Sequence, residues 1–255
     1  MEKKIVVIVQ ARMGSTRLPG KVLKEVDGKP LLGYLFDRLK QMQHPATLVL
    51  ATTQAEEDKK LLKFAKSIGV GSYAGDENDV LDRYYQACKK YKADVVVRVT
   101  GDCTLIEPRI VDQILDVFLN NDYDYVSNVN PPTYPDGIDT EIFSFQALER
   151  AWNEAELKSE REHVTPFIRN RTDIFTQMNV NYDQDWSDYR LTVDEEEDFN
   201  LISQIILHFK DQWETVTMEE IIAYLNEHEE LMQLNSKYKR NEGYAKSLQE
   251  DGPVE

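Results

Sequence analysis

The sequence predicts a layered α/β sandwich folded as one domain, and three observations predict it. Ile5 to Val9, Thr47 to Thr53 and Val95 to Val99 are short β-branched runs without polar alternation, the pattern of strands covered on both faces in a parallel sheet. Between them lie helical patterns with apolar residues near i, i+3 and i+4 spacing. The 255 residues, 41% of them hydrophobic, suffice for one sizeable core.

The elements follow in order. The first strand runs to Val9, and helices are expected over Leu31 to Met42, Glu56 to Ser67 and Asp79 to Tyr91. Strand and helix alternate, which implies right-handed βαβ units. After Pro108 the alternation weakens. A helix from Pro108 to Asn120 leads to a strand at Tyr125 to Ser127, then to "NVNPPTYPDG", whose prolines and glycine mark an irregular excursion. Ser144 is placed to cap the helix "FQALERAWNEAE". Strands at Phe175 to Val180 and Arg190 to Val193 and helices at Glu195 to Phe209 and Met218 to Asn226 complete the body. From Ser236 the tail is polar and is expected to pack loosely.

Charge and cysteine content narrow the function classes. A formal net charge of -16 argues against nucleic acid or an anionic membrane as the main partner, since both are polyanions. Ile5 to Val9 is too short for a signal-peptide core, and no segment approaches the roughly 18 apolar residues of a membrane span. Cys88 and Cys103 stand alone, without a zinc spacing or a disulfide framework. A cytoplasmic location is therefore expected.

Against this acidity stands "QARMGSTRLPGKVL", residues 10 to 23, with Arg12, Arg17 and Lys21 on the loop after the first strand. Open parallel sheets bind ligands beyond the carboxyl ends of their strands, where this loop lies. Gly14 and Gly20 allow close backbone approach, Pro19 stiffens the turn, and the cations match phosphate oxygens. A cation about 4 Å from a phosphate charge gains on the order of 4 kcal/mol at an effective dielectric of about 20, before desolvation. The repulsion of the distant acidic surface is screened beyond about 8 Å. A polyphosphate is the natural guest, although the loop is no Walker A motif: five residues separate Gly14 from Gly20, and Val22 follows Lys21. A solvated surface loop is the competing reading of these residues alone.

Two aspartates sit past strand ends: Asp102 in "VVVRVTGDC" and Asp194 in "YRLTVDEEED". Facing a triphosphate together, they would complete a magnesium site, because Mg2+ prefers one or two carboxylates with phosphate oxygens and water. For Asp194 a second reading stays open, a capping box with Glu197 for the next helix.

Taken together, "QARMGSTRLPGKVL", "GDENDVLDRY", "VRVTGDCTLIEP", "YPDGIDTEIFS", "EREHVTPFIRNR" and "RLTVDEEEDF" resemble, in that order, the cytidylyltransferases that activate bacterial sugar acids. The match is best to the branch named for spore coat polysaccharide biosynthesis and extends to about Leu207. The resemblance implies a three-layer α/β/α nucleotide-diphospho-sugar transferase fold with a mixed, mostly parallel central sheet. It implies one nucleotidyltransferase domain over residues 1–235 with a sugar-binding and dimerisation excursion at about 128–182, then the polar tail 236–255. The implied protein is a homodimer that joins CTP to a sugar acid, a nonulosonic acid being the leading candidate, and releases pyrophosphate. By the same resemblance Arg12 and Lys21 would hold the triphosphate, with Gln10, Ala11, Gly14, Ser15 and Arg17 nearby. Asp102 and Asp194 would hold magnesium, and Asn78, Asp79 and Arg83 would meet the base and ribose. Thr100 stands where related sugar-acid enzymes carry a glutamine.

For the sugar side the resemblance offers Asp136, Asp139, Glu141, Arg161 and His163, with Arg169 and Arg171 as further cations. His163 reads more readily as a capping or core histidine than as a catalytic base. Arg161 and Arg169 read equally as surface ion-pairing residues. Two rival functions remain: a glycosyltransferase of the same fold, for which Asp122 and Asp124 in "DYD" would be the metal motif, and a nucleotide-binding module without turnover.

Overall fold

The computed structural model describes residues 3–254. Its chain begins with β1 (Ile5–Gln10), the basic loop, a small antiparallel pair β2 (Glu25–Val26) and β3 (Lys29–Pro30), and α1 (Leu31–Leu39). Next come β4 (Ala46–Thr53), α2 (Lys59–Ser67), β5 (Gly71–Gly75), α3 (Val80–Tyr91), β6 (Val95–Thr100) and α4 (Pro108–Leu119). The second half runs β7 (Tyr125–Ser127), β8 (Glu141–Ser144), α5 (Phe145–Glu154), α6 (Lys158–His163), α7 (Pro166–Arg169) and β9 (Gln177–Asn179). It closes with α8 (Glu196–His208), α9 (Met218–Glu227), α10 (Glu229–Met232) and α11 (Glu242–Gln249).

The main sheet has seven strands in the order β5-β4-β1-β6-β8-β7-β9. β5, β4, β1 and β6 are parallel, β8 is antiparallel to both β6 and β7, and β9 pairs in parallel with β7. This is the mixed, mostly parallel sheet the sequence led us to expect. Its central strands are buried on both faces because helices cover both: Ile5, Val7 and Val9 pack toward α1, α4, α8 and α9, whereas Val6 and Ile8 pack toward α3 and α5. Each fully buried branched side chain contributes roughly 1.5–3 kcal/mol of hydrophobic stabilisation.

Arg38 ties the C-terminal helices to this body. Its guanidinium is fully buried and donates to the carbonyls of Ile106 at 2.6 Å, Trp213 at 2.7 Å and Val216 at 2.8 Å. Burial lowers its pKa to about 10, with the Glu107 carboxylate opposing the shift.

Three expectations are corrected. β5 was not anticipated: "GSYAG" lacks the β-branched residues that mark a strand, yet it pairs with β4 as the sheet edge. Arg190 to Val193 form no strand; that stretch lies along Asp136 through single backbone bonds, Asp136 N to Tyr189 O at 2.9 Å and Leu191 N to Asp136 O at 2.6 Å. Gly137 permits this approach, since a Cβ at its φ of +106° would meet the Leu191 carbonyl carbon at 2.5 Å. The strand expected over Phe175 to Val180 is only Gln177–Asn179. The polar tail is loosely packed as expected: it forms α11 with no buried residue and attaches through ion pairs and hydrogen bonds.

Candidate active site

The loop after β1 is shaped by its own backbone and by one buried acid. Gly20 adopts φ +67° and returns its N–H to Met13 O at 2.9 Å, closing the turn that carries Lys21 into the interior. Met13 N in turn donates to Asp58 Oδ1 at 2.7 Å, and Asp58 also accepts from Thr53 N at 3.2 Å. Sequence reasoning missed Asp58; an acid in a helical run gives no signal that it braces a loop 45 residues away.

Asp102 reaches the same place from the end of β6. Gly101 donates its N–H to Gln10 O at 2.8 Å, and a Cβ there would lie 2.9 Å from both that oxygen and the Ala11 Cβ. The segment before α8 is then laid beside this turn by Val193 N donating to Asp102 O at 3.1 Å. Asp194 is free to face the site because the capping box of α8 is formed by Glu195 and Asp198, not by Asp194 and Glu197. Asp198 accepts from the N–H groups of Asp194 and Glu195, each at 2.9 Å.

Loop and carboxylates meet at Lys21. Its ammonium donates to Val193 O at 2.7 Å, Asp194 Oδ1 at 2.8 Å and Asp102 Oδ2 at 3.1 Å, so all three N–H donors are used within the protein. Burial works to raise the Asp102 carboxyl, but the Lys21 charge and the Thr100 hydroxyl, 2.5 Å from Oδ1, outweigh it and hold it below the usual carboxylate range. Burial likewise disfavours the charged Lys21, and the two aspartates outweigh it and raise its pKa. Asp194 receives two further cations, Arg17 at 2.7 Å and Arg190 at 3.2 Å.

These groups open onto a cavity of about 980 Å³ at the carboxyl ends of β1 and β6. Gln10, Ala11, Arg12, Ser15, Arg17 and Lys21 line it from the loop, with Thr100, Asp102 and Asp194 beside them. Asn78, Asp79 and Arg83 line a second side. Asp79 caps α3 through Asp82 N at 2.8 Å and pairs with Arg161 at 2.5 Å. Arg83 braces the Asp76–Glu77 turn by donating to both carbonyls, at 2.6 Å and 3.0 Å. Arg161 and His163 also reach the wall, together with Thr16, Glu77, Lys158 and Glu162, which sequence reasoning did not single out. Of the loop's three cations Arg12 is the least restrained, its side chain 46% exposed and 3.4 Å from Glu77. His163 accepts or donates at Ser247 Oγ, 2.9 Å away, and burial lowers its pKa to about 4, so at neutral pH it carries no charge.

Four candidate residues lie outside the wall. Gly14 sits on the loop but turns toward Glu57. The three acids of "DGIDTE" are each held by an arginine: Asp136 by Arg190 at 3.1 Å, Asp139 by Arg240 from the tail, and Glu141 by Arg98, its cross-strand neighbour. The "DYD" acids stand elsewhere too, since Asp124 precedes β7 and accepts from Thr176 N and Oγ1, each at 2.9 Å.

A basic loop, an aspartate at the end of β6 and another on the segment before α8, the two sharing one ammonium above a mixed α/β sheet, define a site suited to a nucleotide polyphosphate. The chain belongs to the cytidylyltransferase family, whose sequence profile matches residues 6–245. It is 36% identical to an uncharacterised protein of Methanocaldococcus jannaschii over 93% of this chain and 96% of that one. It is 31% identical to the spore coat polysaccharide biosynthesis protein SpsF of Bacillus subtilis, over 87% and 94%. Among solved structures, a cytidylyltransferase from Leptospira borgpetersenii superposes with TM-score 0.87 at 35% identity, covering 91% of this chain and 98% of that one. A CMP:2-keto-3-deoxy-manno-octonic acid synthetase complexed with CTP shares the fold, with TM-score 0.62 at 17% identity over 80% and 99%. No helix among the described residues is long and apolar enough to cross a membrane.

Proposed function

We propose that this chain couples CTP to a sugar acid, with a nonulosonic acid as the leading candidate, giving the CMP-sugar and pyrophosphate for surface polysaccharide or glycan synthesis. Family membership supports the nucleotidyl transfer, and the carrying observation is the convergence of Lys21, Asp102 and Asp194 on one wall of the cavity.

In this reading the sugar's anomeric hydroxyl attacks the α-phosphorus in line as the bond to the pyrophosphate breaks and its proton passes to water, so that positioning and charge neutralisation carry most of the rate. Arg12, without a tight partner, extends to the phosphates. Lys21 has no free donor, so its part is to hold the Asp102 carboxyl below the usual carboxylate range and to keep Asp102 and Asp194 close together. Asp102 and Asp194 would hold the Mg2+: two carboxylates that reach one ammonium form a compact acidic pair, and the set suits an ion that takes the rest of its ligands from phosphate and water. Bound there, magnesium would supply charge neutralisation to the phosphate oxygens. Asn78, Asp79 and Arg83 would meet the nucleoside. Asp136, Asp139, Glu141, Arg161 and His163 remain the candidates around the sugar. The homodimer and the cytoplasmic location implied by the sequence belong to this proposal, and sedimentation would read the former.

The test is to incubate the protein with Mg2+, each nucleoside triphosphate in turn and a panel of sugar acids, and to measure pyrophosphate. Release with CTP and a sugar acid is expected. Transfer from a CMP-sugar to an acceptor without use of CTP, or CTP binding with no turnover, would overturn the proposal.

A further inference from the structure

The tail that reads as loose and polar in sequence docks at several points: Lys237 and Tyr238 bond Glu197 at 2.7 Å and 3.0 Å, Lys239 O accepts from Arg190 at 3.4 Å, and two further points touch candidate sugar residues. At one end Arg240 donates to Asp139 and, through Nη1, to Tyr134 O at 2.9 Å, while its Nε lies 3.9 Å from Asp136. At the other, the Tyr244 ring meets His163 edge-on at 5.0 Å, and Ser247 bonds both His163 and Glu162, each at 2.9 Å. Beyond α11, Asp251 accepts from Ser159 N and Oγ at 3.0 Å and 2.6 Å, Gly252 O accepts from Lys158 N, and Val254 joins the cavity wall.

The attachment is almost wholly polar. No residue of α11 is buried, and Leu248 and Val254 stay about half exposed, at 49% and 48%. A segment that buries so little apolar surface opens at a free energy far below that of global unfolding. Its contacts nevertheless leave the triphosphate side, Arg12, Lys21, Asp102 and Asp194, untouched. Arg240 grips the part-exposed Asp139 and lies near the buried Asp136, which Arg190 also holds, so removing its guanidinium leaves Asp139 without its arginine.

We propose that residues 236–254 form a detachable strap that completes the sugar-acid subsite, opening to admit the sugar acid and docking around it with Arg240 as the anchor. This rests on the proposed function and adds a positioning role for Arg240. The strap carries its own reporters, since trypsin cleaves after Lys237, Lys239, Arg240 and Lys246, and the cut after Lys246 is the one compared because substitution at 240 leaves that site intact.

The test compares full-length wild type with Arg240→Ala and Arg240→Lys. In Arg240→Ala the strap is cut faster by trypsin, and KM for the sugar acid rises about tenfold while CTP affinity, by calorimetry, is unchanged. Arg240→Lys, which keeps the charge, recovers most of both effects. In wild type, CTP with sugar acid slows the cleavage and CTP alone does not. Equal cleavage of wild type and Arg240→Ala, an unchanged KM for the sugar acid, or an equal loss of CTP affinity would overturn the proposal. Failure of the underlying function is seen separately, as wild type that releases no pyrophosphate with any sugar acid, and the comparison of cleavage rates still decides whether Arg240 anchors the strap.

Discussion

Replacing Lys21 by methionine keeps the length and the apolar stem of the side chain and removes only the ammonium. Two ion pairs then vanish, to Asp102 at 3.1 Å and Asp194 at 2.8 Å, along with the bond to Val193 O. Each pair is worth on the order of 5 kcal/mol of gross attraction at an effective dielectric of about 20, much of it cancelled by desolvation. Truncating one partner of a buried pair costs about 3–5 kcal/mol net, and the lower figure applies here because Arg17 and Arg190 still serve Asp194. At roughly 2–4 °C per kcal/mol, Tm should fall by roughly 6–12 °C at neutral pH. The pH dependence has a definite sign. In wild type the Asp102 carboxyl lies below its unfolded value, so its stabilisation is present above the ordinary carboxylate range and is lost as pH falls through the depressed value. Without Lys21, burial is opposed at Asp102 only by hydrogen bonds such as that of Thr100, and the deficit of the variant should shrink as pH falls and the carboxyl protonates. Added Mg2+ should raise Tm more in the variant than in wild type, because the cation takes the place of the lost ammonium. Calorimetry from pH 4 to pH 8, with and without Mg2+, checks this, and pyrophosphate assays should show turnover reduced about 100-fold. Wild-type Tm at every pH together with wild-type turnover would refute the role given to Lys21.

Three further outcomes are expected. Asp102→Asn should raise the Mg2+ concentration needed for half-maximal turnover at least about tenfold, read by metal titration, and an unchanged titration would remove Asp102 from the metal site. Arg38→Met leaves three buried carbonyls without donors and should lower Tm by roughly 6 °C or more, from a loss of about 3 kcal/mol, with CTP affinity unchanged below the transition. Gly101→Ala forces a Cβ to within 2.9 Å of Gln10 O and should weaken CTP binding about tenfold by displacing the turn that carries Asp102; calorimetric affinity equal to wild type would show that the turn adapts.

Much of the architecture was legible because both-face burial writes itself into composition: β1, β4 and β6 are apolar-rich runs without polar alternation, with Arg98 of β6 paired to Glu141. β5 was illegible for the converse reason, since an edge strand half covered by α2 and α3 needs no β-branched residues. "RLTV" misled because Leu191 and Val193 are buried like strand residues while Asp136 offers them only one bridge. At the site, Arg12, Lys21 and Asp102 stood out through strand-end position. Asp194 was ambiguous by one residue, because acids at 194, 195, 197 and 198 all satisfy a capping pattern and only the backbone turn selects Glu195 with Asp198. The strap left no trace in periodicity, because side chains held by ion pairs and hydroxyls obey no hydrophobic spacing.

The single ammonium shared by Asp102 and Asp194 joins residues 81 and 173 positions away in the chain. No fragment ending before Asp194 contains it, and closing so long a loop is among the slower events of chain collapse. Recovery of catalysis during refolding should therefore trail the return of secondary structure, making enzymatic activity a clock for the final step of assembly.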